Sequence, residues 1–243
     1  ALCVRYGMKE EDALKAVTIR EAEAVGLENR IGSIEPGKDA DLVLLDGEPF
    51  ELLTSVSKVI IDGVVEYENP ALAPKDAVAR PALVAGGGWT LPDGFKGAGS
   101  FAIKAGAVLT MAGEPVPNGV VLVKDGRIEK VGEGLDVPAG YAVVDAPGCV
   151  VMPGFVSPRS TLGISSNWRR QSSVDEATTP VTPELEVKHA LEPQAPLFNF
   201  ARQLGITTAL VTPGNRNVIG GQGVAVRTDG AVVDTMIVKD KAV

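Results

Sequence analysis

Histidine and cysteine are almost absent from this chain of 243 residues, which contains His189, Cys3 and Cys149 and no others of either type. One imidazole and two widely separated thiols cannot supply the clustered nitrogen and sulfur ligands of a catalytic zinc or iron centre. The two cysteines offer no disulfide framework, and their apolar neighbours predict two buried thiols. His189 lies among charged residues, and we expect it to be exposed.

Other absences narrow the class of protein. Aromatic residues make up 5% of the chain, so its cores must consist mainly of Val, Ile, Leu and Ala. No run of about 18 apolar residues occurs, and no basic segment precedes an apolar core at the start, so we expect neither a membrane span nor a signal peptide. The net charge of −8 and the scattered basic residues argue against a nucleic-acid partner. The composition is that of a soluble globular protein of undetermined compartment.

The hydrophobic periodicity changes along the chain. Residues 8–26 place apolar side chains three or four apart and predict a helix, within which Thr18 could start a second helix as an N-cap, with Glu21 completing a capping box. Residues 28–69 alternate short apolar runs with turn dipeptides, including a hairpin through Asp62-Gly63. Residues 70–100 are rich in Pro and Gly and predict a linker. Residues 101–152 predict a second set of hairpins.

One long motif begins at Gly32, where the chain reads Gly-x-Ile-Glu-Pro-Gly-Lys-x-Ala-Asp-Leu-Val, and continues through Val56, Val59 and Asp62-Gly63. The motif resembles the carboxyl-terminal signature of the metal-dependent amidohydrolase superfamily. In that family this tail follows the last barrel helix, which residues 8–26 resemble. The resemblance implies that the tail contributes strands to a small β-sandwich beside the barrel.

A second motif runs from Pro153-Gly154-Phe155-Val156 to Leu162-Gly163. It resembles the first barrel strand of the same superfamily, which reads Pro-Gly-[Leu/Phe]-[Ile/Val]-Asp-x-His-x-His-Leu-Gly. The two histidines of the family lie on the same side of a strand and bind the metal. Ser157 stands here at the position of the Asp, and Arg159 and Thr161 stand at the positions of the histidines.

This replacement has a chemical consequence. The resemblance implies zinc or another divalent metal as the cofactor of the family. A guanidinium has no lone pair to donate, so we expect no metal ligand and no catalytic residue in this segment, with Arg159 and Thr161 as degenerate metal-ligand positions. Arg159 is then either paired with a carboxylate or solvated, or it binds an acidic ligand where the metal would lie.

Further along, Phe198–Gly205 predicts a short helix and Ile206–Thr212 a strand. They resemble the second barrel strand of the superfamily and the helix that precedes it. The glycine-rich loop after them, at 213–223, resembles a loop of the imidazolonepropionase-like branch. Gly220–Gly223 lacks the Lys-Ser/Thr of a phosphate-binding loop, and a tight loop over the barrel mouth is the favoured interpretation. Several polar residues are expected to be structural or solvated: Lys38, Asp39, Asp41, Asp175, Glu176 and Glu184.

The order of these motifs is reversed. An intact amidohydrolase begins with its amino-terminal portion, or head, continues through the barrel and ends with the tail. In this chain the tail (1–69) comes first and the head (101–243) follows. Either the chain is circularly permuted, or it spans the junction of two tandem copies, which the abrupt appearance of both ends favours. We predict a mixed β fold with some α, a small β-sandwich made of family tail and head strands, with partial α/β-barrel elements. The predicted sections are 1–27 (last barrel-type helix), 28–69 (tail strands), 70–100 (linker), 101–152 (head strands) and 153–243 (start of a degenerate barrel).

The resemblance implies a portion of an amidohydrolase that hydrolyses C–N bonds in cyclic amides or peptides, with this segment itself non-catalytic. The alternative is a pseudoenzyme, that is, a structural or ligand-binding scaffold. The expected partners are the remainder of a parent chain or a second copy, because the sandwich could form within one chain or by a swap between chains. The sequence leaves the substrate, the metal and the oligomeric state open.

Overall fold

The computed structural model describes residues 2–72, 92, 95–165, 174–176 and 178–242. Within these residues the chain is mostly β, with few and short helices. The strands are β1 (Leu42–Leu45), β2 (Val56–Ile61), β3 (Val64–Glu68), β4 (Ser100–Val108), β5 (Val116–Pro117), β6 (Gly119–Lys124), β7 (Arg127–Glu133), β8 (Ala142–Pro153), β9 (Phe155–Ser160), β10 (Ile206–Val211), β11 (Val224–Arg227) and β12 (Ile237–Lys239). The helices are α1 (Leu2–Arg5), α2 (Glu10–Lys15), α3 (Ile19–Ala24), α4 (Pro196–Gln203) and α5 (Val233–Met236), with 3-10 turns at Pro70–Leu72 and Val187–Ala190.

One mixed sheet contains both the tail strands β1–β3 and the head strands β4–β8. Its order is β3-β2-β1-β8-β4-β6-β7, and β5 pairs with β4 outside this path. The junction between tail and head is antiparallel, with Val43 opposite Met152 and Leu45 opposite Val150. Strand β8 also pairs in parallel with β4. Tail and head strands are therefore hydrogen-bonded to each other, and their arrangement as a two-layered sandwich stays a prediction.

Strand β1 lies in the middle of this sheet, and all four of its residues are buried. Leu42 and Leu44 pack into an apolar cluster with Phe101 on one face. Val43 and Leu45 pack into a second cluster on the other face. Successive side chains of a strand alternate between faces, so an unbroken apolar run is buried only where both faces are covered.

Two Asp-Gly turns close the hairpins β2–β3 and β6–β7. Asp62 and Gly63 have φ of 52° and 76°, and Asp125 and Gly126 have φ of 50° and 76°. Two successive residues with positive φ form the turn that matches the twist of antiparallel strands. The predicted hairpin through Asp62-Gly63 is observed at that position.

A second sheet has the order β12-β11-β10-β9. Strands β9 and β10 are parallel and are joined through α4, whereas β11 is antiparallel to β10. Helix α3 covers one face, where Ala22 packs with Val156 and Leu210. Helix α4 covers the other face, where Phe198 packs with Val211. The predicted helix at 198–205 is observed, beginning two residues earlier.

The helix predicted over residues 8–26 is divided into α2 and α3, with the second helix beginning after Thr18 as the sequence allowed, but the predicted side-chain cap by Thr18 is wrong. The Thr18 hydroxyl donates a hydrogen bond to the Leu14 carbonyl over 2.7 Å instead of capping α3. The Val17 carbonyl accepts a hydrogen bond from the Val156 amide, 3.0 Å away on β9. This hydrogen bond fixes the residues between α2 and α3 against β9 and accounts for the interruption of the helix. The helical periodicity of the sequence carries no information about this contact.

The two cysteines and His189 differ in how deeply they are buried. Cys149 is buried as predicted, whereas the prediction for Cys3 is wrong, because α1 has no buried residue and Cys3 is exposed. His189 is exposed, with 76% of its side-chain surface accessible. The linker at 70–100 lies mostly outside the described residues, and the predicted section boundaries stay predictions.

The longest helix among the described residues is α4, with eight residues. None of the helices described combines the length and the apolarity that crossing a bilayer requires.

Candidate functional site

The candidate site lies at the carboxyl end of β9, where the motif places Arg159 and Thr161. In the parallel pair Val211 lies opposite Ser160, and the Thr212 amide donates to the Ser160 carbonyl over 3.0 Å. The two strands therefore end side by side. In α/β folds, ligands bind at the carboxyl ends of parallel strands, so the loops that follow β9 and β10 form the region of interest.

Arg159 is exposed and its guanidinium donates a hydrogen bond to the side-chain oxygen of Asn215, in the loop after β10. The Ser157 hydroxyl donates to the Arg159 carbonyl over 3.3 Å. No carboxylate of the described part of the chain pairs with Arg159. The first expectation for this residue was a salt bridge or a solvated guanidinium, and the described residues show an exposed guanidinium without a salt bridge.

The residues at this position do not fit a metal. Every N–H group of a guanidinium is a hydrogen-bond donor, so Arg159 has no lone pair to give to a metal. One of these N–H groups donates to the side-chain oxygen of Asn215. Thr161 and Ser157 contribute neutral hydroxyls, which are weak ligands beside the imidazoles of the family motif. Within the ranges that the structure describes, no group of three or more His, Cys, Asp or Glu side chains has metal-binding geometry.

The loop after β10 is held by contacts to the segment around Asp175. The Gly214 amide donates to the Val174 carbonyl over 2.8 Å, and the Arg216 amide donates to the Asp175 carboxylate over 3.3 Å. A methyl group at Gly214 would lie 2.1 Å from that carboxylate. Asp175, which we expected to be solvated, therefore orders this loop.

The glycine-rich loop packs on a neighbouring segment. The Gln222 amide donates to the Leu185 carbonyl over 2.6 Å, and the Ile219 amide donates to the Pro180 carbonyl over 3.2 Å. A methyl group at Gly221 would lie 2.4 Å from the Leu185 carbonyl oxygen. Close backbone contact accounts for the glycine at 221, and two of the amides that could bind a phosphate already have partners.

The other acidic residues of this region are exposed. The Glu176 carboxylate accepts a hydrogen bond from the Thr178 amide over 2.8 Å, and Glu184 is exposed. Glu186 forms ion pairs with Lys188 and Lys241, 2.7 and 3.1 Å away. The hydrogen bond from Lys188 is the main reason that the pKa of Glu186 falls to about 2. These are ordinary surface ion pairs beside His189.

A buried ionic cluster, which we call the Asp39 cluster, was not predicted from the sequence. The carboxylate of Asp39 has no exposed surface and pairs with Arg30 at 2.7 Å, Arg127 at 2.7 Å and Arg227 at 3.0 Å. Arg227 also reaches Asp62 at 3.1 Å. The cluster joins the tail through Asp39, the head through Arg127 and strand β11 through Arg227.

Asp41 lies beside this cluster and is also buried. Its Oδ1 accepts a hydrogen bond from the Asp62 amide over 2.8 Å, and its Oδ2 has no hydrogen-bond partner among the described residues. Burial raises the pKa of Asp41 to about 7, and Arg227 opposes that rise. Asp39 and Asp41, which we expected to be structural or solvated, are thus buried and structural, but the ion pairs around Asp39 were not predicted. The sequence offered one signal for this cluster. Asp39 and Asp41 precede the apolar run at 42–45, and Arg227 ends the apolar run at 224–227.

Cys149 and Lys58 are buried inside the main sheet and are not nucleophiles in this setting. Burial raises the pKa of the Cys149 thiol to about 12, which keeps it protonated at neutral pH. Lys58 pairs with Glu68 at 2.7 Å and has 1% of its side chain exposed.

Comparisons with known proteins agree with the tail motif. Residues 1–66 match the Amidohydrolase family. The chain is 29% identical over 177 residues to "Amidohydrolase tasK" of Hapsidospora irregularis, covering 66% of this chain and 18% of that protein. It is 39% identical over 75 residues to an imidazolonepropionase of Thermoplasma volcanium, covering 28% of this chain and 19% of that protein. The chain thus spans about a fifth of the curated relatives that it matches.

A solved structure is also similar. An amidohydrolase from Thermotoga maritima matches with a TM-score of 0.55 and 34% sequence identity, covering 58% of this chain and 37% of the other. The tail motif and these matches support the amidohydrolase superfamily as the class of this protein. Within that class they support an imidazolonepropionase-like member.

Proposed function

We propose that this chain is a non-catalytic portion of an amidohydrolase-family protein that hydrolyses C–N bonds in cyclic amides or peptides. The observation that carries the proposal is the guanidinium of Arg159, which lies at a family metal-ligand position and hydrogen-bonds to Asn215. A cation at that position repels a divalent metal, and the one histidine of the chain is exposed and lies elsewhere. No hydrolytic step is assigned to the residues of this segment.

We further propose that the segment spans the junction of two tandem family copies. The match to the Hapsidospora protein covers 66% of the chain, which is more than either the residues up to 100 or those after 100 could supply alone. A relative thus aligns across the boundary between tail and head. That relative is more than twice as long as the imidazolonepropionase, since 177 residues make up 18% of one and 75 residues make up 19% of the other.

In this arrangement the chain contributes a composite sheet to its parent protein. The hydrogen bonds between β1 and β8 and the ion pairs of the Asp39 cluster support a tail and a head that pair within one chain. The proposed partner is the remainder of the parent chain, which would hold the catalytic copy. A second copy of this segment is the alternative partner.

Metal analysis tests the non-catalytic proposal. The chain is expressed in medium supplemented with zinc, manganese and iron, and its metal content is measured after gel filtration. We expect well below one equivalent of each metal. One equivalent of metal bound to the wild-type chain, lost in a variant that carries Arg159→Ala and Thr161→Ala, would overturn the proposal.

A restoration variant serves as the matched control. Arg159→His together with Thr161→His recreates the family pair of imidazoles on β9. We expect this variant to bind zinc weakly and to show no hydrolysis of a cyclic amide, because a catalytic site of the family needs further ligands beyond this pair. Hydrolysis by the restored chain alone would show that the remaining machinery is present.

A ligand-binding scaffold is the second candidate function. Arg159 is exposed at the carboxyl end of β9 and is paired with an amide, whereas the arginines of the Asp39 cluster are bound to carboxylates. A cation in this position is available to an acidic ligand.

A further inference from the structure

The side chains of Arg159 and Asn215 meet between two loops. Arg159 is the penultimate residue of β9, and Asn215 lies four residues after the end of β10. Both side chains are exposed, and the hydrogen bond between them spans the gap at the carboxyl ends of the two strands. This pairing orients the guanidinium in the region where parallel strands place ligands.

We propose that Arg159 and Asn215 form a binding site for a small anion with a carboxylate or phosphate group. The site rests on the function proposed above, because it requires that Arg159 and not a metal occupies this position. A guanidinium has five N–H donors in a planar fork that matches two oxygens of a carboxylate or a phosphate. Asn215 accepts from Arg159 through its oxygen, which leaves its amide N–H₂ group as a further donor.

The loop that carries Asn215 is ordered before any ligand binds. The Gly214 amide is bonded to Val174, the Arg216 amide to Asp175, and the Asn217 side chain to the Thr182 hydroxyl at 2.8 Å. Three anchors within four residues reduce the entropy that the loop would lose on binding. The loop therefore holds the amide of Asn215 at a fixed place beside Arg159.

The local charges permit an anion. Arg159 has no carboxylate partner within the described ranges, and Arg216 adds a second exposed cation to the loop. Asp175 lies on the neighbouring segment, and one of its oxygens accepts the Arg216 amide. Glu176 and Glu184 add further exposed negative charge to this region, so recognition of an anion depends on the directed donors of Arg159 and Asn215 and not on a net positive field.

Titration with two simple anions tests this site. The chelator-treated full chain is titrated with inorganic phosphate and, separately, with succinate at low ionic strength, and the resonances of Arg159 and Asn215 are followed by NMR. We expect saturable binding of at least one anion, with chemical-shift changes centred on these two residues. Binding of phosphate alone identifies a phosphate group as the ligand, and binding of succinate alone identifies a carboxylate.

The matched variants are Arg159→Gln and Arg5→Gln, because both arginines are exposed and both changes remove one positive charge. Arg159→Gln should weaken binding by about tenfold or more, as expected for loss of a charge-assisted hydrogen bond, while Arg5→Gln should leave it within about twofold. Equal weakening by both variants, or no saturable binding of either anion, would overturn the site. Thermal unfolding of each variant checks that it remains folded.

The two proposals fail in different ways. Stoichiometric metal in the untreated wild-type chain, lost in the variant with Arg159→Ala and Thr161→Ala, would overturn the non-catalytic function whatever the titration gives. Absence of anion binding, with the metal content also low, would overturn only the anion site.

Discussion

At the scale of single residues, buried charge is the feature with the largest consequences. Asp39 is fully buried and has three arginine partners, which compensate for the loss of water around its carboxylate. Of the three, Arg227 is the most buried, with 14% of its side chain exposed. Removing it would leave Asp39 with fewer partners and Asp62 without the pair that Arg227 forms.

Arg227→Gln should therefore destabilise the chain by about 3–5 kcal/mol, the usual cost of removing one partner of a buried ion pair. Chemical denaturation measures the free energy of unfolding. The control is Arg20→Gln, which removes an exposed pair with Glu23 at 2.8 Å and should cost below about 1 kcal/mol. Similar losses in the two variants would show that the Asp39 cluster contributes no more than a surface pair.

Asp41 predicts a pH dependence of stability. Burial raises the pKa of Asp41 in the folded chain to about 7, whereas the pKa of an Asp in an unfolded chain is about 4. The folded state therefore binds more protons between these values, so the stability contributed by Asp41 is complete below about pH 4 and is lost as the pH rises through about 7. Burial also raises the pKa of Asp229 and Glu66, which act in the same direction.

We expect the free energy of unfolding to fall between pH 5 and pH 7, by up to about 1.4 kcal/mol per pH unit for each such proton. Asp41→Asn should reduce this slope, because it removes the group whose pKa lies at about 7. Denaturation curves at successive pH values measure the effect. An unchanged slope in the variant would show that Asp41 does not titrate in this range.

At the scale of elements, the two Asp-Gly turns do more than reverse the chain. A methyl group at Gly63 would lie 2.8 Å from the Gly126 Cα, and one at Gly126 would lie 2.7 Å from the Asp62 carbonyl oxygen. The turn of the tail thus lies directly against the turn of the head. Asp-Gly predicts each hairpin from the sequence, but the contact between the turns depends on β1 pairing with β8.

Gly126→Ala should destabilise the chain by about 2 kcal/mol or more, because it adds backbone strain at φ 76° and a collision with the Asp62 carbonyl. Gly134→Ala is the control, since Gly134 has φ 60° and nothing within 4 Å of the added methyl group. It should cost about 1 kcal/mol, from backbone strain alone. Equal thermal shifts in the two variants would contradict close contact between the turns.

At the scale of the whole molecule, the pairing of tail and head determines how the chain behaves. Strand β1 is hydrogen-bonded to β2 of the tail and to β8 of the head, and it is buried on both faces. If this pairing forms within one chain, the isolated protein is a monomer. If it forms by a swap, two chains exchange their tails.

A protease site inserted after Ala85, within the predicted linker, tests the pairing. We expect a monomeric mass before cleavage and co-elution of the two fragments after it, since the β1–β8 hydrogen bonds and the Asp39 cluster would hold them together. Light scattering coupled to gel filtration gives both masses. Separation of the fragments, or a dimer that dissociates only after cleavage, would contradict pairing within one chain.

The sequence by itself determined the family resemblance, the hairpin at Asp62-Gly63, the helix at 198–205 and the loss of the metal-ligand pair at Arg159 and Thr161. These features depend on turn chemistry, periodicity and side-chain type, which are local and visible in the chain. Tertiary structure decided that the Val17 carbonyl between α2 and α3 is bonded to β9, that Cys3 is exposed and that Arg159 meets Asn215. It also brought Asp39, Arg127 and Arg227 together from three distant segments. Contacts of this kind depend on which strands pair, and strand pairing across more than a hundred residues leaves no local signal.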